Sequence, residues 1–131
     1  MDVLEQRLFG ENMANLALER LDGILLDAAR NRHPLTYQQV AQLLELQPPQ
    51  TIHQATELIE LLMRHHAKIG APQLASLVIS RARGGLPAPG FFMLLQELGL
   101  YEGSSDGEDA RHFHAQEMQR CFPAVLGSHH P

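Results

Sequence analysis

Leu35-Thr36-Tyr37-Gln38-Gln39-Val40-Ala41-Gln42-Leu43-Leu44, followed closely by Thr51-Ile52-His53-Gln54, is the stretch that decides the fold. Thr36 and Gln39 have the spacing of a capping box, in which a hydroxyl accepts from a backbone N–H and the glutamine returns the bond. Leu35 and Val40 flank that cap as a hydrophobic staple. The helix it starts must stop before Pro48-Pro49, because the residue before a proline leaves the helical region. Thr51 and Gln54 repeat the box spacing and predict a longer helix from about Ile52 to Ile69, with Ile52, Ala55, Ile59, Leu62, Met63 and Ile69 on one face. Gly70 is a natural stop. A short helix, a tight turn and a longer helix in series make a helix-turn-helix pair.

Upstream, a helix from about Glu11 to Arg30 carries Met13, Leu16, Ala17, Leu21, Ile24, Leu25 and Ala28 at three- and four-residue steps. Leu4, Leu8 and Phe9 suggest a leading turn or frayed extension, and Gly23 a close helix contact. Downstream, Leu74–Ser80 is a short apolar run that reads as a strand. Arg83-Gly84-Gly85 is a turn, and Leu86–Gly90 returns as an edge strand or extended arm, since prolines donate no ladder hydrogen bonds. Phe91, Phe92, Leu94, Leu95 and Leu98 form a short helix ended by Gly99. After a polar loop, Ser105 and Glu108 give a third box spacing. The last helix, from about Asp106 to Cys121, turns Ala110, Phe113, His114, Met118, Cys121 and Phe122 inward. The tail after Leu126 frays.

The expected architecture is a mainly α single domain over 1–131. A winged helix-turn-helix core with a small β-hairpin (34–98) is braced by N-terminal (1–33) and C-terminal (99–131) helices. Composition agrees with a globular chain: 131 residues, 44% apolar and 19% charged. One cysteine excludes a disulfide framework and a multi-thiolate zinc site. No apolar run approaches the roughly 20 residues that span a bilayer. The acidic N-terminus lacks signal-peptide order, so a cytoplasmic protein is expected.

Net charge is −5, but it is unevenly placed. Residues 61–96 carry Arg64, Lys68, Arg81 and Arg83 and no acid, a block of +4 between flanks of −5 and −4. In a winged helix this block can lie on one nucleic-acid surface, each cation neutralising about one phosphate. Tyr37, His53 and Gln54 would stand near the groove. Gln54 could pair with adenine, although its capping role competes for the same amide. Glu57 and Glu60 would repel phosphates. The alternative is a protein-interaction or dimerisation module that uses the same fold without DNA. Its motivation is the acidic balance and an apolar excess at Leu58, Leu61, Phe91 and Phe92 that marks an interface.

From Pro34 to Leu98 the order of elements resembles the winged-helix DNA-binding domain of the O6-alkylguanine DNA alkyltransferases and their alkyltransferase-like relatives. The segment around Thr36-Tyr37 carries most of the likeness. It implies a Tyr37 that lies beside the DNA backbone at the target nucleotide. Where that family has its reactive cysteine, this chain has Ala75. Where the family's base-stack arginine is expected, this chain has Thr51-Ile52-His53-Gln54. The resemblance therefore implies architecture and DNA binding, without alkyl transfer. Ala75–Phe92 also looks like small bacterial proteins of this architecture, from which no activity carries over.

The remaining chemistry is sparse. Of eight histidines, His112 and His114 point about 200° apart on a helix and His65 and His66 about 100° apart. His114 with Glu117 makes only half a metal site, and a hydrogen-bonded core histidine is the expected role. Ser76 and Ser80 have no flanking catalytic motif. The acids Glu102, Asp106, Glu108 and Asp109 lack calcium-loop spacing and suit a helix N-terminus. Cys121 reads as a buried structural thiol. A non-enzymatic protein with no cofactor and no metal follows, its expected partners DNA, a second copy of the chain or another protein.

Overall fold

A computed structural model describes the backbone of residues 3–126 and the side chains of residues 15–122. Five α-helices dominate the described chain: α1 (Val3–Arg30), α2 (Tyr37–Leu43), α3 (Thr51–Lys68), α4 (Pro89–Glu97) and α5 (Gly107–Leu126). Two short strands, β1 (Leu35–Thr36) and β2 (Val78–Ile79), pair in parallel with Leu35 opposite Val78 and Thr36 opposite Ile79. A 3-10 turn over Leu74–Leu77 precedes β2, and another over Arg81–Arg83 follows it. Among the described residues no helix is long and apolar enough to cross a membrane.

The Thr36 capping box is fully made. Gln39 N donates to Thr36 Oγ1 at 3.1 Å and Thr36 N donates to Gln39 Oε1 at 2.9 Å. Behind it Val40, Ala41 and Leu44 are buried against Ala55, Ile59, Leu62 and Met63 of α3. The same cluster takes Leu21, Leu25, Ala28 and Ala29 from α1 and Ala110, Cys121 and Phe122 from α5. The expected helix order therefore stands, and the two outer helices pack on the central unit through one apolar cluster.

Several local expectations change. The box at Thr51 and Gln54 is not formed. Gln50, in a left-handed conformation, is the N-cap of α3 and makes no side-chain cap bond. The Gln54 amide instead donates to Gln47 O and Pro49 O, both at 2.8 Å. The carbonyls of the turn recruit it, so the turn is tied down rather than the helix end. The third spacing fails likewise. It is Ser104, through its hydroxyl, that accepts from Asp106 N, at 3.2 Å, and α5 begins at Gly107. Gly23 marks no close contact; a Cβ built there meets nothing within 4 Å.

The strand expected over Leu74–Ser80 shrinks to two residues, and the hairpin to a single antiparallel bridge between Ser80 and Leu86. The reason lies in what surrounds the segment. Leu74, Ala75, Ser76 and Leu77 are buried on all sides by helices, so no strand can lie alongside. Their backbone closes on itself, with Ser76 N donating to Gln73 O at 3.0 Å. Beyond it, Gly84 and Gly85 turn the chain with φ of 67° and 91°, a region that glycine enters without Cβ cost.

Of the helical faces read from sequence, the ends are wrong. Leu16, Leu43, Ile52 and Ile69 are exposed, because the first two face outward from the bundle and the other two lie at the termini of α3. Phe91 and Phe92 are not part of an apolar excess at the surface. Both are buried, and Phe92 stacks edge-on against Phe91 at 5.1 Å and tilted against Tyr101 at 5.5 Å. Pro89 starts α4, and the buried face of that helix carries Phe91, Phe92, Leu94 and Leu95. Leu58 is half-buried against the core, and only Leu61 of that group stays exposed. The side chains of Leu4, Leu8, Phe9 and Met13 and the end of the tail lie outside the described residues.

Candidate nucleic-acid interface

A groove of about 580 Å³ opens between α2, the first turns of α3 and the end of β2. Thr36, Tyr37, Gln38, Gln42, Thr56, Ser80 and Arg81 supply its polar lining, and Ile52, Ile79 and Ala88 its apolar lining. The capping box positions the α2 side: it fixes the first turn, so Gln38 and Gln42, four residues apart, share one face. The parallel strand pair positions the other side, bringing Ser80 and Arg81 opposite Tyr37. The Tyr37 phenol oxygen accepts from Ala88 N at 2.8 Å. Burial raises its pKa above the ordinary phenol value, with Glu60 adding to the rise and the Ala88 bond and Arg83 opposing it. It is therefore a neutral group that both lines the groove and holds the chain after the 80–86 turn.

The basic residues read as one block are split. Arg81 lies in the groove, and its guanidinium makes no hydrogen bond or ion pair among the described residues. Arg83 is committed: Nε donates to Pro87 O at 2.9 Å, and Nη2 donates to Ser105 O. Arg64 pairs with Glu97 at 2.8 Å. Lys68 lies at the other end of α3, about 18 Å along the axis from Thr56 at roughly 1.5 Å per residue. Of the expected reading residues, His53 pairs with Glu57 at 2.9 Å, and both donors of the Gln54 amide are spent on the turn. A bidentate contact to adenine needs a donor and an acceptor from one amide, so Gln54 cannot make it in this conformation. The groove thus keeps Tyr37 and Arg81 from the expected set and adds Gln38, Gln42, Thr56 and Ser80. The i, i+4 spacing of Gln38 and Gln42 on α2 is a signal that could have found those two; no local spacing points to Thr56 or Ser80.

The residues with catalytic names sit elsewhere, in a buried seam between the Leu74–Leu77 turn and α5. His114 Nε2 meets Ser76 O, a backbone carbonyl, at 2.7 Å. Ser76 Oγ lies 3.6 Å from Cys121 Sγ, and the thiol donates to Gln73 O at 3.3 Å. Burial pushes the Cys121 pKa up to about 11, opposite to the shift a nucleophilic thiolate needs. Burial also lowers the His114 pKa, against the opposing bond to Ser76. Glu117, buried, accepts from Gln73 N at 2.7 Å and pairs with Arg120 at 2.7 Å. His66, also buried, faces Asp22 at 3.2 Å. Ala75 is buried in the same turn and carries no reactive group. Among the described residues no three histidine, cysteine or acidic side chains gather as a metal site.

Comparison with protein-family models, with curated proteins and with solved structures returns no match.

Proposed function

We propose that the chain is a non-enzymatic nucleic-acid-binding or regulatory protein of winged-helix type. In this reading α2 and α3 are its helix-turn-helix pair and residues 78–86 a reduced wing. The observation that carries the reading is the groove, where an unspent guanidinium at Arg81 stands among side-chain amides and hydroxyls. Arg81 would hold a phosphate, with Arg83 adding charge from its fixed position. Gln38 and Gln42 would meet base or sugar edges, and Thr56, whose hydroxyl donates to Ile52 O, can only accept from them. Two cations make weak binding, with a slope of log K against log salt near −2, at about −0.9 per neutralised phosphate. Fluorescence anisotropy with labelled duplex and single-stranded DNA across a salt series tests it. Salt-dependent binding that Arg81→Glu removes is expected. No binding at low salt, where attraction is least screened, overturns the reading.

A protein-interaction role is the second reading. It is favoured by the commitments of Arg64 and Arg83 and by exposed Leu43, Ile52 and Leu61 on the same helix pair. Sedimentation of the wild type and of Leu61→Glu separates the two: an oligomer lost in the variant supports the interaction surface.

A further inference from the structure

Two hollows adjoin along the seam between α1 and α3, and Asp22 and His65 line both. The wider, about 340 Å³, holds Glu19 and Asp22 beside Leu18 and Leu62. The smaller, about 180 Å³, is walled by Leu26, Ile69, Pro72 and Leu74. A cavity of about 150 Å³ already admits a benzene ring. Glu19, Asp22 and Leu26 recur at three- and four-residue steps, so one face of α1 presents both acids and the start of the apolar wall.

We propose that this seam is a second binding site, for a small organic amine whose ammonium sits between Glu19 and Asp22 and whose apolar body fills the smaller hollow. The chemistry follows from a charge the fold leaves open. Among the described residues neither carboxylate pairs with a lysine or arginine, and no lysine or arginine lines either hollow. The one partner of Asp22 is His66, with Nε2 3.2 Å from Oδ1. Burial holds that imidazole below the ordinary histidine pKa, although Asp22 pulls it the other way. It is therefore neutral near pH 7.5, and the charge on Asp22 stays uncompensated. The carboxylate is also within reach, since the Asp22 side chain is 39% exposed, and Glu19 is exposed beside it. A carboxylate partly withdrawn from water and left without a cation carries a desolvation cost. An ammonium would offset that cost through charge-assisted hydrogen bonds. The order of the two hollows sets the ligand's shape: one cation, a short linker, then a ring or short chain. The same carboxylates repel an anion. The site shares no lining residue with the α2–α3 groove and does not depend on nucleic-acid binding.

Phenethylamine, phenethyl alcohol and hydrocinnamate share a shape and differ in charge, and they are the probes. Backbone-amide NMR titration of the full chain at about pH 7.5, where an alkyl amine is protonated, reads their binding. Saturable shifts at Leu26, His65 and Ile69 are expected with phenethylamine, at least tenfold weaker affinity with phenethyl alcohol, and no saturable response to hydrocinnamate. Added salt should weaken the amine and spare the alcohol. Asp22→Asn keeps an acceptor for His66 and should bring the amine down to the affinity of the alcohol. Should that variant not fold, Glu19→Gln, at an exposed position, should weaken the amine several-fold while leaving the melting temperature and DNA binding as they were. Equal affinity for amine and alcohol, no saturable shift at millimolar amine, or shifts centred on the α2–α3 groove would overturn the site. Amine binding unaltered in both carboxylate variants would overturn it too.

Discussion

Arg81 and Arg83 are two residues apart and of the same type, yet the fold uses them differently. Arg83 donates to the carbonyls of Pro87 and Ser105 and ties the 80–86 turn to the loop before α5. Arg81 faces the groove with its donors unspent among the described residues. The contrast repeats at a larger scale along α3. At its N-terminal end the polar side chains of Gln38, Gln42 and Ser80 line open space, while the Thr56 hydroxyl beside them donates to Ile52 O at 3.0 Å. At its C-terminal end Gln73, Ser76, His114, Glu117 and Cys121 are buried, and most of their bonds go to backbone. A polar group whose bonds close within the chain holds the fold. One whose bonds remain open is available to a ligand.

The seam is where substitution should cost most. Glu117→Ala leaves Gln73 N–H unpaired in the interior and removes a charge-assisted bond, so a loss of about 3 kcal/mol is expected. That corresponds to a fall of roughly 12 °C in Tm at about 4 °C per kcal/mol, read by urea and thermal unfolding. A wild-type Tm in this variant would mean that the seam is not structural. The thiol gives a kinetic version of the same test. With a pKa of about 11, only about one Cys121 in a thousand is thiolate at pH 8. A thiol-directed disulfide reagent should therefore react with the folded protein far more slowly than with the urea-unfolded chain.

Acid should weaken the buried interior as well. Burial holds the pKa of His114 and of His66 below the ordinary histidine value near 6.5. Below that value the unfolded chain binds protons that the folded chain does not. The stability these neutral imidazoles provide is complete above about pH 6.5 and is lost as the pH falls through their folded values. His114→Gln, which can still donate to Ser76 O, should flatten the acid limb of a plot of Tm against pH.

How much of this was legible in the sequence follows from how local each signal is. The Thr36 box and the Leu35/Val40 pair lie within six residues, and the box forms as read. The Thr51/Gln54 spacing is identical, and it misled because the carbonyls of Gln47 and Pro49, across the turn, compete for the amide. Leu74–Ser80 has strand composition, but three helices surround it and leave no edge to pair with beyond β1. The charge block 61–96 was real as composition. Its members diverge in space because α3 carries Arg64 and Lys68 away from the turn that holds Arg81. Glu117 was seen only as half of a metal pair; its partner Gln73 N lies 44 residues away, and no spacing rule reaches that far.

Smaller effects refine the contrast from outside both regions. Gly23 lies exposed in α1 with open space around its α-carbon. Gly23→Ala should stabilise the protein by about 0.5–1 kcal/mol, through helix propensity and a less free unfolded chain. Unchanged or lower stability would reveal a contact at that face in solution.

The smallest effect on stability is expected at Arg81, and it is the sharpest test of the groove. Arg81→Glu breaks no bond among the described residues, so unfolding should shift by no more than about 0.5 kcal/mol. Arg83→Glu removes two donors from the Pro87 and Ser105 carbonyls and should destabilise by about 1–2 kcal/mol, as lost hydrogen bonds to a charged donor do. On DNA the order should reverse. Arg81→Glu should abolish binding, because reversing the charge replaces an attraction to phosphate with a repulsion at the centre of the groove. Arg83→Gln, which keeps a donor for one carbonyl, should only lower the salt slope by about one. If the two arginines prove alike in both assays, unspent bonds do not mark the binding residues of this fold, and the groove loses its claim to nucleic acid.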